Sequence, residues 1–170
     1  MPVDDNLDTN KIKPFYTIQT NTTDLFAIDA DYFKWSADGS WVSFLLAPTA
    51  AWSNDNNTLA VLSSAGDQFQ VIGKMLGYEK WIKWAPTKIQ LAFISGEGRF
   101  FVVNKSSEIP TLNKQKEYTH KGYVDLDLEW LSPDEIIVVR AKENKAWKEG
   151  PVPTMFTALY VINLESGEQK

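Results

Sequence analysis

The sequence predicts an all-β protein made of three repeated four-stranded units, and three observations support this prediction. One phrase occurs three times, a tryptophan followed by a tight polar turn and a short apolar strand, and its tryptophans Trp35, Trp84 and Trp130 are 49 and 46 residues apart. Runs of β-branched and aromatic residues alternate with clusters of Gly, Asn, Asp and Pro. No stretch of ten or more residues keeps a helical period. Because strand-built repeats of roughly 40 to 50 residues are typical of β-propeller blades, we expect a partial β-propeller of three four-stranded antiparallel repeats.

The first predicted blade covers about residues 31–73, with strands at 31–36, 41–46, 58–63 and 68–73. Its tight turns contain Gly39 and Gly66, each next to an aspartate, and these residue types tolerate the positive φ that hairpin turns require. The second blade covers about residues 79–114, with strands at 79–85, 90–95, 99–104 and 108–114. Its Gly96-Glu97-Gly98 turn precedes no helix, so it is read as a hairpin and not as part of a phosphate-binding loop.

The third predicted blade covers about residues 123–170, with strands at 123–131, 135–141 and 158–164, and its fourth strand is missing. Residues 1–13 are rich in Asp and Asn and are predicted to form a flexible tail, which leaves residues 14–170 as the partial propeller. Residues 14–20 alternate like a strand but have no blade of their own. They are predicted to be a closing strand that completes an unfinished blade.

Composition excludes several classes of function. A net charge of −5, with basic residues scattered among acidic ones, argues against a nucleic-acid partner. No apolar run approaches 18 residues, so no membrane span is predicted. The absence of cysteine excludes disulfides, a thiolate nucleophile and Cys-ligated metals. The acidic start of the chain is unlike a secretory signal, so an exported parent protein would have its leader outside this sequence.

Candidate catalytic and metal-binding residues are few. His120 is the only histidine and is predicted to be an exposed turn residue, and no Gly-x-Ser-x-Gly elbow occurs. Asp55 and the neighbouring asparagines suggest a Ca²⁺ site, but a solvated polar turn is the favoured interpretation. We therefore predict no catalytic residue, no cofactor and no metal site.

Two groups of residues have both a structural and a functional interpretation. Trp35, Trp84 and Trp130 are predicted to pack between neighbouring blades, with ligand stacking as the alternative. Asp125, Asp127 and Glu129 alternate with apolar residues and are predicted to share one strand face. Such a face either holds a cation or is simply solvated, and the solvated strand is favoured.

The clearest candidate for recognition is the insertion at residues 142–157 in the third blade. Trp147, Met155 and Phe156 place large adaptable apolar groups in this segment, whereas the blades use theirs for packing. A loop of this length is usually functional or mobile. We predict that these three residues form the recognition loop.

The phrase at residues 35–44, together with residues 158–167, resembles the repeat of TolB-like, WD-type β-propeller proteins. Similar repeats form the propeller domains of prolyl-oligopeptidase-type and tricorn-type peptidases. The match is good at residues 35–39, whereas the phrase at Trp130 contains an inserted leucine and the phrase at Trp84 lacks the Asp-Gly pair. The resemblance implies a six-bladed ring that acts as a binding platform in the bacterial envelope.

The expected function is therefore a non-catalytic binding or scaffold module, part of a larger bacterial cell-envelope protein resembling TolB, with a protein or peptide partner. The alternative is the substrate-gating propeller of a prolyl-oligopeptidase-type serine peptidase whose catalytic domain lies outside this chain. The residues leave a cytoplasmic location open. Because three blades cannot close a ring, we also expect a homodimer that completes six blades, in which residues 14–20 of one copy supply the strand missing after Lys170 in the other.

Overall fold

The fold is taken from a computed structural model, which describes residues 13–18, 28–48, 57–75, 79–104, 114–146 and 153–170. Within these ranges eleven strands form three separate antiparallel sheets, and the only helical element is one 3-10 turn. The predicted all-β class and its division into three repeated units are confirmed. The predicted tail at residues 1–13 lies outside the described residues except for its last position.

The first blade is a four-stranded sheet in the order β1-β2-β3-β4. Its strands are β1 Ile28–Trp35, β2 Trp41–Pro48, β3 Asn57–Ser63 and β4 Phe69–Met75. All four overlap the predicted positions, and β1 begins three residues earlier than predicted.

The turn after Trp35 shows why the repeated phrase forms a hairpin. The Asp38 carboxylate accepts hydrogen bonds from the Ser36 hydroxyl at 2.7 Å and from the Ser40 backbone N–H at 3.1 Å. The Ser36 hydroxyl oxygen accepts in turn from the Trp41 backbone N–H at 3.0 Å. Gly39 supplies the positive φ of 70° that the turn requires. The hydrogen bond from Ser36, helped by those from Ser40, lowers the pKa of Asp38.

The second blade is also four-stranded, in the order β5-β6-β7-β8. Its strands are β5 Ile82–Trp84, β6 Gln90–Ile94, β7 Phe100–Asn104 and β8 Lys114–Glu117. The first strand is shorter than predicted because Glu79–Trp81 forms the 3-10 turn. The fourth was predicted at residues 108–114 and overlaps β8 only at Lys114. The sequence of β8, Lys-Gln-Lys-Glu, has no alternation of apolar residues that would mark it as a strand. This charged edge strand forms through its hydrogen-bonded ladder with β7 and not through burial.

The third blade has three strands, β9 Tyr123–Ser132, β10 Glu135–Glu143 and β11 Pro153–Asn163. The predicted insertion at 142–157 is shorter than expected, because β10 and β11 extend into it until Glu143 pairs with Pro153. A proline is tolerated at the first residue of a strand. After β11, Ile162 and Gln169 form an isolated antiparallel bridge, where the backbone groups of Val161 and Lys170 exchange two hydrogen bonds of 3.0 Å.

One hydrophobic core joins the three blades. Successive residues of a strand point to opposite faces of its sheet, and each inner face presents buried apolar residues to the next blade. The fully buried members include Leu45, Leu59 and Val61 of blade 1, Leu91, Phe93 and Ile94 of blade 2, and Ile136, Val138 and Ile162 of blade 3. Burying each such side chain contributes about 1.5–3 kcal/mol.

Residues 13–18 do not form a strand but lie on the first blade. The Tyr16 ring stacks on the Phe69 ring with 5.4 Å between centroids, and Ile18 packs on the apolar face that carries Phe44. The alternation that suggested a strand is explained by this packing on a sheet face. Completion of a blade in a second copy by residues 14–20 stays a prediction.

Candidate functional site

The repeated tryptophans connect the blades through one recurring hydrogen bond. The Trp84 indole N–H donates to the backbone carbonyl of Lys34 at 2.9 Å, and that of Trp130 donates to the carbonyl of Lys83 at 3.0 Å. In each case the acceptor carbonyl belongs to the residue immediately before the repeated tryptophan of the preceding blade. The predicted inter-blade packing is confirmed for these two tryptophans.

Trp35 occupies the same place in blade 1 but is 56% exposed. The expectation that it packs between blades is wrong, since the described residues contain no blade before the first. It lies on what we call the leading face of blade 1, formed by Phe33, Trp35, Val42, Phe44 and Leu62. With residues 14–18, this face lines an apolar groove of about 490 Å³.

The opposite end of the molecule is the outer side of blade 3, which we call the trailing face and define by Ile137, Val139, Leu159 and Val161. The strand register pairs Ile137 with Val161 and Val139 with Leu159. The alternating residues Ile136 and Val138 point instead into the shared core. Leu159 is 65% exposed, and three of the four face residues border a groove of about 270 Å³. The trailing face is therefore apolar and partly exposed, whereas on the leading face only Phe33 and Trp35 are exposed, because Tyr16 and Ile18 pack on the buried residues Val42, Phe44 and Leu62.

Two of the three predicted recognition residues, Met155 and Phe156, lie near the start of β11. Phe156 is in β11 and is 82% exposed. Met155 is in the same strand, but its side chain is not among those described, and Trp147 lies outside the described residues. The structure therefore places one of the three side chains, and it places that one in solvent.

The three acids of β9 do not share a face. The register with β10 shifts between the pairs Asp127–Val139 and Asp125–Arg140, so one strand carries an extra residue at this point. This irregularity turns Asp125 into the interior, whereas Asp127 and Glu129 bond Lys80 at 3.4 Å and Lys83 at 2.7 Å. The predicted shared face is wrong, and each of the three carboxylates has a basic partner.

A buried polar network joins blades 2 and 3 and was not found in the sequence. Arg140 forms two hydrogen bonds to Asp125, Nε–Oδ1 at 2.6 Å and Nη2–Oδ2 at 2.9 Å. The Arg140 guanidinium also donates to the Tyr118 carbonyl at 3.0 Å and to the Gln169 side-chain oxygen. The hydroxyl of Thr119 donates to Asp125 at 2.6 Å. The one signal in the sequence was an arginine in the middle of an apolar strand, which requires an acidic partner when buried.

Tyr118 adds a second polar link to the third blade. Its side chain is buried, and its hydroxyl donates to the Leu164 carbonyl at 3.0 Å. Burial raises the pKa of the Tyr118 phenol. The ring also packs against Phe100 of the same blade, so Tyr118 is held by an apolar contact within blade 2 and by a hydrogen bond to the residue that follows β11.

The remaining candidates form no recognisable chemical site. His120 is exposed in the turn before β9, as predicted, and Asp55 lies outside the described residues. Among the residues that the structure describes, no three His, Asp or Glu side chains are grouped to hold a metal ion. The same residues include no helix with the length and apolar character needed to cross a membrane.

Comparison with known proteins shows the fold. No protein-family model and no curated protein matches the sequence. Among solved structures, an oligogalacturonate lyase in complex with manganese matches with a TM-score of 0.55 and 11% identity, over 93% of this chain and 43% of that chain. The AtxE2 isopeptidase in its apo form matches with a TM-score of 0.51 and 14% identity, over 84% of this chain and 30% of that chain. A puromycin hydrolase mutant complexed with PGG matches with a TM-score of 0.50 and 16% identity, over 81% and 21%.

All three of these similar structures are β-propeller proteins, so the chain has the fold of partial propeller blades. This chain spans less than half of each of them. At these identities the similarity shows the fold alone.

Proposed function

We propose that the chain is a non-catalytic β-propeller module that binds a protein or peptide partner at the far end of the β10–β11 hairpin. The observation that carries the proposal is the position of Phe156, which is 82% exposed on a strand whose later residues enter the core. An aromatic side chain held in solvent on a strand loses little conformational freedom when it enters a pocket of a partner, because it has few rotatable bonds. Trp147 and Met155 are close to Phe156 in sequence and are the other two residues of the predicted recognition loop.

The arrangement of the ionisable groups supports a binding role over a catalytic one. Asp125 is bound to Arg140 in the interior, and Asp127 and Glu129 are paired with lysines. Each of these carboxylates has a structural role that joins strands or blades. A general acid or base needs a group that faces a substrate with its proton free to move, and the paired carboxylates do not offer one.

We further propose that the parent protein is a TolB-like component of the bacterial cell envelope. The support is the phrase at residues 35–39, whose serine, aspartate and glycine form the hydrogen-bonded turn of the first blade. The same turn chemistry would build further blades of a longer propeller.

The gating propeller of a serine peptidase is the second candidate. It is supported by the similarity to a puromycin hydrolase and an isopeptidase, of which this chain spans 21% and 30%. The reading frame of the parent gene separates the two candidates. A Gly-x-Ser-x-Gly elbow with a downstream histidine supports the peptidase, and a propeller without one supports the binding module.

A peptide-display selection against the purified chain tests the binding role. Enriched peptides should bind the native chain and lose at least about tenfold in affinity with Phe156→Ser, the loss expected for an aromatic contact residue. Leu131→Ser is the matched control, because Leu131 is also exposed and apolar but lies at the opposite end of blade 3. Equal losses for both variants, or cleavage of the selected peptides by the chain, would contradict the proposal.

A further inference from the structure

Ion pairs join blade 2 to blade 3 at equivalent positions of the repeat. Three lysines of blade 2 each bond a carboxylate of blade 3: Lys80 with Asp127, Lys83 with Glu129, and Lys88 with Asp134. The partners are 47, 46 and 46 residues apart, and the tryptophans Trp84 and Trp130 are also 46 residues apart. Each pair therefore joins one position of the repeat to the same position of the next blade, within one residue.

The three pairs are distributed along the first strands of the two blades. Lys80 lies in the 3-10 turn before β5, Lys83 lies within β5, and Lys88 lies in the turn between β5 and β6. Their partners follow in the same order along β9 and the turn after it. The six side chains are 29–59% exposed, so they lie at the rim of the contact. Along this rim blade 2 is basic and blade 3 is acidic.

The contact between blades 1 and 2 uses a different chemistry at the corresponding place. Lys34 occupies the position in blade 1 that Lys83 occupies in blade 2, immediately before the repeated tryptophan. Its ammonium group donates to the backbone carbonyl of Ile82 at 3.1 Å, whereas the ammonium group of Lys83 bonds the Glu129 carboxylate at 2.7 Å. The two contacts between blades are therefore not interchangeable.

The charges of blade 1 do not match those of blade 3. At the same distances from the repeated tryptophan as the three lysines of blade 2, blade 1 carries Asp31, Lys34 and Gly39. Opposite the carboxylates of blade 3, these residues would give one repulsion, one attraction and one uncharged contact. A second blade 2 or a second blade 3 in this contact would place like charges opposite each other at all three positions. Among the three blades, only blade 2 followed by blade 3 gives three attractions.

We infer that these three ion pairs select the blade that packs after blade 2. An exposed ion pair changes an equilibrium constant by only about fivefold or less, so the pairs contribute little as a source of stability. Their effect is a difference between neighbours, because a blade with unmatched charges would replace the attractions with repulsions. This contact uses none of the residues of the proposed binding site at Phe156, so either proposal can fail without the other.

The shared core explains why such a selection is needed. Leu91 and Phe93 of blade 2 occupy the same positions of their strand as Ile136 and Val138 of blade 3, and all four are buried. Hydrophobic burial is not directional, so similar apolar faces do not distinguish one blade from another. Exchange of equivalent units between chains is a characteristic error in the folding of repeat proteins. The charges at the rim distinguish blades that the core does not.

Charge reversal on each side of the contact, followed by urea denaturation, tests the inference. The first variant makes blade 2 acidic with Lys80→Glu, Lys83→Glu and Lys88→Glu. The second makes blade 3 basic with Asp127→Lys, Glu129→Lys and Asp134→Lys. At about 0.01 M salt, where the Debye length is about 30 Å, each variant should raise the equilibrium constant of unfolding at least about tenfold. The chain with all six changes should return to within about threefold of the native value, because opposite charges face each other again.

Salt and a matched variant identify the cause of the loss. At about 1 M salt, where the Debye length is about 3 Å, the loss in each reversed chain should fall below about threefold. The control makes the same change in net charge at exposed lysines outside this contact, with Lys13→Glu, Lys74→Glu and Lys145→Glu. It should change the equilibrium constant by less than about threefold at low salt, as surface substitutions do.

The inference is overturned if the control chain loses as much stability as the chain with the reversed lysines. It is also overturned if the losses of the two reversals add in the chain with all six changes, because matched charges would then have no effect of their own. Where a triple variant does not fold, Lys83→Glu and Glu129→Lys provide the same cycle at one pair. Each should raise the equilibrium constant about threefold and the two together should restore it, and additive losses here overturn the inference equally.

Discussion

The guanidinium of Arg140 holds the carboxylate of Asp125 in a two-pronged ion pair, with Nε–Oδ1 at 2.6 Å and Nη2–Oδ2 at 2.9 Å. The two side chains are 2% and 0% exposed. Charges at such depth persist only when they are paired and their remaining polar atoms are satisfied. Here Thr119, Tyr118 and Gln169 complete the network, so residues of the second blade and the end of the chain stabilise the interior of the third.

Breaking this pair from one side should destabilise the fold strongly. We expect Arg140→Met to lower the free energy of unfolding by about 3–5 kcal/mol, because it leaves the Asp125 carboxylate buried without its counter-charge. The double variant Asp125→Leu with Arg140→Met should recover much of the loss, since both charges are then removed. Urea denaturation, with the slope m compared between variants, measures both effects.

The exposed pair Lys80–Asp127 provides the control for that experiment. Its side chains are 57% and 42% exposed and 3.4 Å apart. Asp127→Asn should therefore cost less than about 1 kcal/mol. If Arg140→Met costs no more than this control, the buried network does not contribute as its geometry indicates.

Loss of the hydrogen bonds that Trp84 and Trp130 form between blades should lower the free energy of unfolding. Trp84→Phe and Trp130→Phe each remove an indole N–H that bonds a carbonyl of the blade before. We expect each to lower the free energy of unfolding by about 1–3 kcal/mol, from the lost hydrogen bond and the unpaired carbonyl. Urea denaturation at a concentration where light scattering reports a monomer measures the change.

Trp35→Phe is the matched variant, because Trp35 has the same place in the repeat but is exposed. In the monomer it should change stability by less than about 0.5 kcal/mol, as surface substitutions do. A loss equal to that of Trp84→Phe would mean that Trp35 has a packing role within one chain, contrary to the exposed position found here.

The blades could be predicted from the sequence because the residue patterns that mark them are local. A glycine next to an aspartate in a turn and a tryptophan at a regular interval each need only a few neighbouring residues to act. The strand β8 was misplaced because its charged sequence carries no apolar alternation and only its pairing with β7 forms it. The irregularity in β9 depends on its register with β10, and no residue pattern marks it.

The same difference between local sequence patterns and long-range strand pairing explains which parts of the candidate site could be predicted. Phe156 could be named from its residue type and its place in a long connection. The pair of Asp125 and Arg140 is separated by 15 residues and forms only once β9 and β10 are aligned with their irregularity. The exposure of Trp35 could not be predicted either, since it depends on which blades are neighbours and not on the repeat itself.

Tyr118 predicts how stability changes at alkaline pH. Burial raises the pKa of its phenol above the ordinary value of 10.0. Between about pH 10 and the raised pKa, the unfolded chain loses the phenolic proton of Tyr118 whereas the folded chain retains it, so the folded state binds more protons. The contribution of Tyr118 is therefore fully present below about pH 10 and is lost as the pH rises through the raised pKa.

Tyr118→Phe should remove this part of the alkaline loss. At neutral pH the variant should be less stable by about 0.5–1.5 kcal/mol, because the hydrogen bond to the Leu164 carbonyl is lost. Above about pH 10 the difference between the native chain and the variant should become smaller. Urea denaturation at neutral and alkaline pH measures it, and a difference that stays constant or grows would show that the phenol is not held in its protonated form.

Substitutions at two turn glycines of blade 1 distinguish the effect of backbone strain from the effect of a contact with residues 13–18. Gly39 and Gly66 have φ values of 70° and 75°. A Cβ at Gly39 would meet nothing within 4 Å, whereas one at Gly66 would lie 3.1 Å from both the ring and the carbonyl oxygen of Phe15. Gly39→Ala should therefore cost about 1–2 kcal/mol from backbone strain alone. Gly66→Ala should cost more, since it also displaces Phe15 from the blade.

The distinguishing result is the release of residues 13–18. Gly66→Ala should increase the rate at which chymotrypsin cleaves after Tyr16, because that ring is held against Phe69 next to the Gly66 turn. Gly39→Ala has the same type of strain in a turn that is free of the segment, and should leave the rate unchanged. If both variants raise the cleavage rate equally, general loss of stability explains it, and the contact between Phe15 and the Gly66 turn does not hold the segment on the blade.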